Sequence, residues 1–268
     1  LQLPTSKLQF LFWLTPPLLA LSLYGPTLSL PFFWDDVANF QFMFGRPLAQ
    51  MWIDSSGFPY YRPLTFTLWR VMQSLFGATN PAPYHALNIL VLIADAWLVG
   101  VLAKRLASLP ENNSDTIALL AAALMTIFPF AALVVPLVAS LFHLFVTMVA
   151  VAACLCALEF DATKKIGWGI AAVALAALAP FAHESGLATG GLMGICIAFQ
   201  FSREFRELRE QGFILRAIRV IRGKKTGVAL TAISLLLNLA FIPLWSRIPK
   251  ARPEGSFAWV GWESVGQS

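Results

Sequence analysis

The sequence predicts an all-α integral membrane protein of about seven transmembrane helices, with a long extracytoplasmic first loop that contains short amphipathic helices. Three observations lead there. Of 268 residues, 58% are hydrophobic and only 12% charged, with a mean hydropathy of +0.70, a balance foreign to soluble globular domains. The apolar residues fall into runs near the ~20 residues that cross a hydrocarbon core, where the backbone must satisfy its own polar groups. The basic residues sit unevenly between those runs.

The first run, 8–24, carries Pro16 and Pro17 and is followed by Leu30, Phe32 and Phe33. It lacks a small-residue cleavage site, so it reads as a retained helix and not as a signal peptide. The chain begins with Leu1 and not Met, so residues can precede it. Further helices are expected over 85–103, 116–133, 138–158, 166–181, 186–201 and 226–245. The stretch 117–158 holds His143 and no acid or other base, and its length suits two crossings joined by a turn near Val134 to Pro136. The whole chain, 1–268, reads as a single membrane domain. Cys154, Cys156 and Cys196 all fall inside expected helices, which favours apolar packing over a disulfide framework or a metal site.

Lys and Arg near helix ends mark the cytoplasmic side. With Lys7 inside, thirteen of the 19 basic residues are cytoplasmic and six are not, which places the N-terminus in the cytoplasm and the chain in a cell's inner membrane. The segment 203–225 is the most basic. Its Ile214, Ala217, Ile218 and Ile221 make one apolar face, and its Arg203–Glu207 and Arg206–Glu210 pairs have i, i+4 spacing. It is expected to lie as an amphipathic helix on the inner surface, in contact with membrane lipids. A juxtamembrane basic helix follows from topology alone, so nucleic acid is not a partner.

The connection 25–84 holds most of the candidate chemistry. Phe32, Phe33 and Trp34 form an aromatic belt, followed by the neighbouring carboxylates Asp35 and Asp36. Two adjacent carboxylates in low-dielectric surroundings raise one pKa unless a cation compensates. The pair therefore suits a general base or ligands for a divalent cation; its plain structural reading is a helix cap ahead of Val37. Arg62, set between Tyr61 and Pro63, offers a planar donor fork to a phosphate or to an acidic headgroup. The apolar run from Leu64 to Trp69 predicts an amphipathic surface helix. His85 and Asn88 lie one turn apart at the start of the second helix, and Asp95 lies deeper, where an ionisable side chain must face protein or water and not lipid. His183 and Glu184 follow the fifth helix; Glu184 either caps the sixth or joins Asp35, Asp36 and Arg62 in one pocket.

With these residues in place, the region from about Leu8 to Trp245 resembles the multi-spanning glycosyltransferases of the GT-C type, including the protein O-mannosyltransferases. The resemblance rests on the acidic pair Asp35-Asp36 after the first helix, on Tyr61-Arg62-Pro63-Leu64 ahead of a helix opening with His85 and Asn88, and on His183-Glu184 where relatives carry Lys-Glu. Leu92 stands where a second histidine often follows, and Phe128-Pro129-Phe130 stands where relatives read His-Pro. The resemblance implies either sugar transfer from a polyprenyl-phosphate donor at the outer face or a relative whose catalytic chemistry has eroded. Asp35 or Asp36 would serve as base or metal ligand, Arg62 and His183 would steady the lipid phosphate, and His85 and Glu184 would complete the binding site. A second class of reading is a non-catalytic accessory subunit packed against other membrane subunits in a larger assembly, such as a photosynthetic or respiratory one. Small-residue helices such as 167–179 would permit that packing. A transporter is the third, suggested by Asp95 and His143 within helices, though no internal repeat supports it.

Overall fold

The computed structural model describes residues 7–44, 46–56, 58–107, 111–210 and 225–249. Among them the secondary structure is helical. In chain order the helices are α1 (Lys7–Tyr24), α2 (Asp35–Phe44), α3 (Leu48–Met51), α4 (Pro63–Phe76), α5 (Ala82–Leu106), α6 (Glu111–Ile127), α7 (Pro129–Val134), α8 (Leu141–Thr163), α9 (Ile166–Ala182), α10 (Thr189–Glu210) and α11 (Lys225–Arg247). Short 3-10 turns cover Gly25–Ser29, Val138–Ser140 and Glu184–Ala188.

Among the described residues, five segments are long and apolar enough to cross a membrane: Lys7–Ser29, Ala82–Leu106, Asn113–Val134, Val138–Thr163 and Thr226–Arg247. The sequence reading predicts seven. Its fifth candidate is α9, whose 17 residues rise only about 26 Å, short of a ~30 Å core. The sixth is part of α10, which continues to Glu210 through the charged residues Arg203 to Glu210. Residues 203–210 thus extend a long helix, and 211–224, the rest of the expected basic surface helix, lie outside the described residues.

Packing follows side-chain size. Helix α8 packs on α9 and α5, α5 on α6, α1 on α6, and α10 on α11. Ala153 and Ala157 of α8 meet Ala172 and Ala176 of α9 in one core cluster, small residues that let backbones approach where no water drives helices together. At Gly100 a Cβ would sit 2.5 Å from the Phe12 ring and 2.7 Å from the Ala118 carbonyl, so only glycine allows α1, α5 and α6 to close there. Outward, Phe10, Leu14, Leu18 and Leu21 of α1 and Leu236, Leu239 and Ile242 of α11 are exposed, a surface suited to lipid tails and not to water.

Polar groups inside the bundle act as cross-links. The Asn238 amide of α11 accepts from Gly190 N–H of α10 (2.9 Å) and donates to the Ala176 carbonyl of α9 (2.6 Å), joining three helices. Asn238→Ala is expected to lower stability by about 1–2 kcal/mol, measured as reversible unfolding in bicelles. A change near zero would mean that the amide only fills space.

The 25–84 connection is itself folded. Phe40 packs against Phe32 (4.6 Å between ring centroids), Tyr84 (5.1 Å) and Trp69 (5.5 Å), and Phe42 stacks on Phe58 (4.8 Å). Helix α4 buries Phe66 and Trp69 toward the bundle and leaves Val71, Leu75 and Phe76 exposed. Polar contacts bind this cap to one end of the bundle: Asp36 to Ala139, Arg62 to Glu184, Thr65 Oγ1 to the Ala182 carbonyl (3.2 Å), and Ser55 N–H to the Pro249 carbonyl (3.0 Å). The opposite end carries the ion pairs Lys104–Asp115, Arg105–Glu159 and Lys164–Asp161. The long helices alternate in direction between these two ends.

Candidate functional site

The site forms where the cap meets the turn between α7 and α8. A proline at 129 breaks the apolar run after Ile127, since Pro restricts the residue before it and cannot donate to a helix. Helix α7 then ends at Val134, leaving the backbone of 135–140 in need of partners. Two distant side chains supply them. Asn88 of α5 donates to the carbonyls of Val135 (3.2 Å) and Leu137 (2.9 Å). Asp36 accepts from Ala139 N–H (2.5 Å). So braced, the turn launches α8 with Phe142 and His143 in its first turn.

Adjacent carboxylates take opposite roles. Asp36 is fully buried; its second oxygen accepts from Phe33 N–H (3.2 Å), which closes the start of α2 in the manner of a capping box. Burial pushes its pKa up to about 6, and the N–H groups of Ala139 and Phe33 offset only part of that. Asp35 is exposed. Among the described residues no three His, Cys, Asp or Glu side chains converge to hold a metal ion, and each Asp36 oxygen accepts from one backbone N–H.

Three residues from Ala139, Phe142 contributes one wall of a cation clamp. The Arg62 guanidinium carbon lies 4.1 Å from the Phe142 ring centroid on one side and 4.2 Å from that of Tyr60 on the other. Its Nε and Nη2 donate to Glu184 Oε2 at 3.1 and 2.9 Å. Stacking and a directed ion pair together fix the fork's plane. Glu184 sits here because α9 ends at Ala182, and His183 takes an extended backbone before the 3-10 turn. His183 Nδ1 accepts from Ser185 N–H (3.1 Å), so in neutral imidazole the proton is on Nε2, 3.5 Å from the Glu184 carboxylate. The His143 ring is 4.5 Å from that of His183.

Arg62, Glu184 and His183 therefore come together, and Asp36 reaches them through the braced turn. His85 does not. It is fully buried beside the Leu30 and Pro31 backbone, with no well-formed hydrogen bond at either ring nitrogen. Asp95 faces protein, buried and without a hydrogen-bond partner among the described residues. The residues absent from the sequence-predicted site are Tyr60, Phe142 and His143. His143 had a visible signal, a histidine alone in an apolar run; the two aromatic walls had none.

The two titrating groups oppose each other. His183 is pushed down to about 4, by burial first and then by the Arg62 charge. Its contribution to stability is full above its ordinary value near 6.5 and is lost as pH falls toward 4. Asp36, raised from 3.8 to about 6, contributes the reverse: stability present below 3.8 and lost as pH rises through 6. Relative to the parent chain, Asp36→Asn should therefore lose thermal stability on acidification between about pH 6.5 and 4, and His183→Gln should gain it. Parallel melting-temperature curves for all three proteins would refute this assignment.

No family model and no solved structure matches this chain. It is similar to the protein O-mannosyl-transferase Tmtc1 of Drosophila melanogaster, 29% identical over 238 residues covering 74% of the chain. The chain spans about a quarter, 26%, of that relative's length.

Proposed function

We propose that the chain is a GT-C-type glycosyltransferase that moves a sugar from a polyprenyl-phosphate donor to an acceptor hydroxyl at the extracytoplasmic membrane face. The observation that carries this reading is the Tyr60–Arg62–Phe142 clamp beside His143 and His183, a set of donors suited to a leaving phosphate. The similarity to a protein O-mannosyl-transferase supports the class of reaction. Seven crossings, with α9 and α10 completing the five long spans and the N-terminus in the cytoplasm, put this end of the bundle outside.

In the reaction, Asp35 takes the proton from the acceptor hydroxyl as its oxygen attacks the anomeric carbon. The bond from that carbon to the phosphate oxygen breaks, and the lipid phosphate leaves with the electron pair. Arg62 and the histidine N–H groups meet the charge that develops on it. Glu184 balances Arg62 before the donor arrives, so the phosphate competes with a carboxylate for the guanidinium. Asp36 and Asn88 hold the turn that positions Phe142 and His143.

Purified full-length chain in proteoliposomes, supplied with radiolabelled polyprenyl-phosphate mannose, glucose or arabinose and a Ser/Thr-rich peptide or a lipid-linked glycan, is expected to transfer label from one donor. Absence of both transfer and donor binding across the set would overturn the reading.

A further inference from the structure

Trp34 has a left-handed backbone, φ +49°, a conformation costly for a bulky L-residue. The surrounding bonds impose it. Phe33 accepts from Asp36 N–H (3.0 Å), Trp34 accepts from Val37 N–H (3.2 Å), and Phe33 N–H donates to the Asp36 carboxylate. Glycine would make the same turn without strain. The indole nonetheless stands 83% exposed, turned away from the aromatic core that holds Phe32 and Phe40, with the Phe33 ring edge-on at 5.8 Å. Next to it is Asp35, whose main-chain oxygen accepts from Asn39 (2.6 Å) and whose carboxylate takes no hydrogen bond among the described residues.

A strained, outward aromatic face beside a free carboxylate has a specific chemistry. A pyranose presents an apolar face of C–H bonds, which stacks on an indole, and a rim of hydroxyls, which donate to a carboxylate. We propose that Trp34 and Asp35 form a pyranose-binding half-site, with the ring as platform and the carboxylate as hydroxyl acceptor. This rests on the glycosyltransferase reading and specifies how that site grips sugar. A lipid-interface tryptophan requires neither the left-handed backbone nor the adjacent free carboxylate.

The test uses full-length chain labelled with 5-fluorotryptophan in phosphatidylcholine nanodiscs, the Trp34 fluorine resonance being identified by its loss in Trp34→Phe. Methyl α-mannopyranoside, methyl β-glucopyranoside and methyl β-galactopyranoside report a sugar of any origin, and mannose 1-phosphate reports the donor headgroup. The Trp34 resonance is expected to shift saturably with at least one of these and to stay still with inorganic phosphate. A shift with a neutral glycoside assigns the platform to a sugar ring alone; a shift with mannose 1-phosphate only assigns it to the donor's sugar. Asp35→Asn should weaken the titration about 3- to 10-fold. Trp34→Gly, which removes ring and strain together, should keep or raise the melting temperature; a fall would mark the ring as a structural anchor and overturn the half-site. A resonance unmoved by all four sugars also overturns it. If mannose 1-phosphate then still perturbs the His183 ring resonances, the glycosyltransferase reading stands without the half-site. A Trp34 response to a neutral glycoside, with neither transfer nor donor binding in proteoliposomes, overturns that reading and keeps the half-site.

Discussion

Asp35→Asn is expected to lower sugar transfer by about 100- to 10,000-fold, the usual contribution of a positioned general base, well beyond the about 3- to 10-fold loss in sugar affinity. The asparagine keeps the size and most of the hydrogen-bonding capacity of the aspartate, and Asp35 is exposed and supports no tertiary contact through its carboxylate, so folding is not at stake. Its neighbour is the control. Asp36→Asn weakens the acceptor for Ala139 or Phe33 N–H in a buried place and should cost about 1–3 kcal/mol of stability. Its effect on transfer should follow the displaced Phe142 and His143 and appear in donor KM as well as kcat. Turnover lost in Asp36→Asn but intact in Asp35→Asn would reverse the two assignments.

Arg62→Leu is expected to abolish donor binding and to destabilise the fold by about 2–3 kcal/mol. Removing one member of a buried ion pair costs about 3–5 kcal/mol; the Glu184 side chain is 28% exposed here, so water recovers part of its solvation and the lower figure applies. The two rings also lose the cation between them. The double variant Arg62→Leu with Glu184→Leu separates these terms. With no stranded charge, stability should return to within about 1 kcal/mol of the parent, and donor binding should stay lost. Donor binding restored in the double variant would exclude Arg62 as the phosphate clamp.

Hydropathy makes the bundle legible because an apolar run near 20 residues has few other uses, and Pro129 marks the break between α6 and α7 by its own stereochemistry. The crossing count is less legible, because α9 is short and α10 becomes charged halfway along. Within the site, the doublet Asp35-Asp36 reads as two equivalent carboxylates. At the start of a helix, successive residues point about 100° apart, so one turned inward to Ala139 and the other remained outside; spacing alone cannot say which. Asn88 and His85 read as one functional face, yet Asn88 braces the 135–140 turn and His85 packs on Leu30 and Pro31. The Arg62–Glu184 pair joins residues 122 positions apart, a proximity that no local pattern encodes. Tyr60 and Phe142 belong to an aromatic-rich composition in which any of many rings had equal claim to the guanidinium.

An arginine side chain ordinarily carries about 2 kcal/mol of rotamer entropy. For Arg62 that freedom is surrendered when the chain folds, because two ring faces and a carboxylate already fix the plane of its fork. On the proposed reading, an incoming phosphate would therefore meet donors with fixed directions, and its affinity would not be discounted for ordering them. The same rigidity would set a limit: an anion whose oxygens do not fit that plane would be refused and not accommodated, so ligand choice there would be geometric and would be retuned by changing the rings and not the charge.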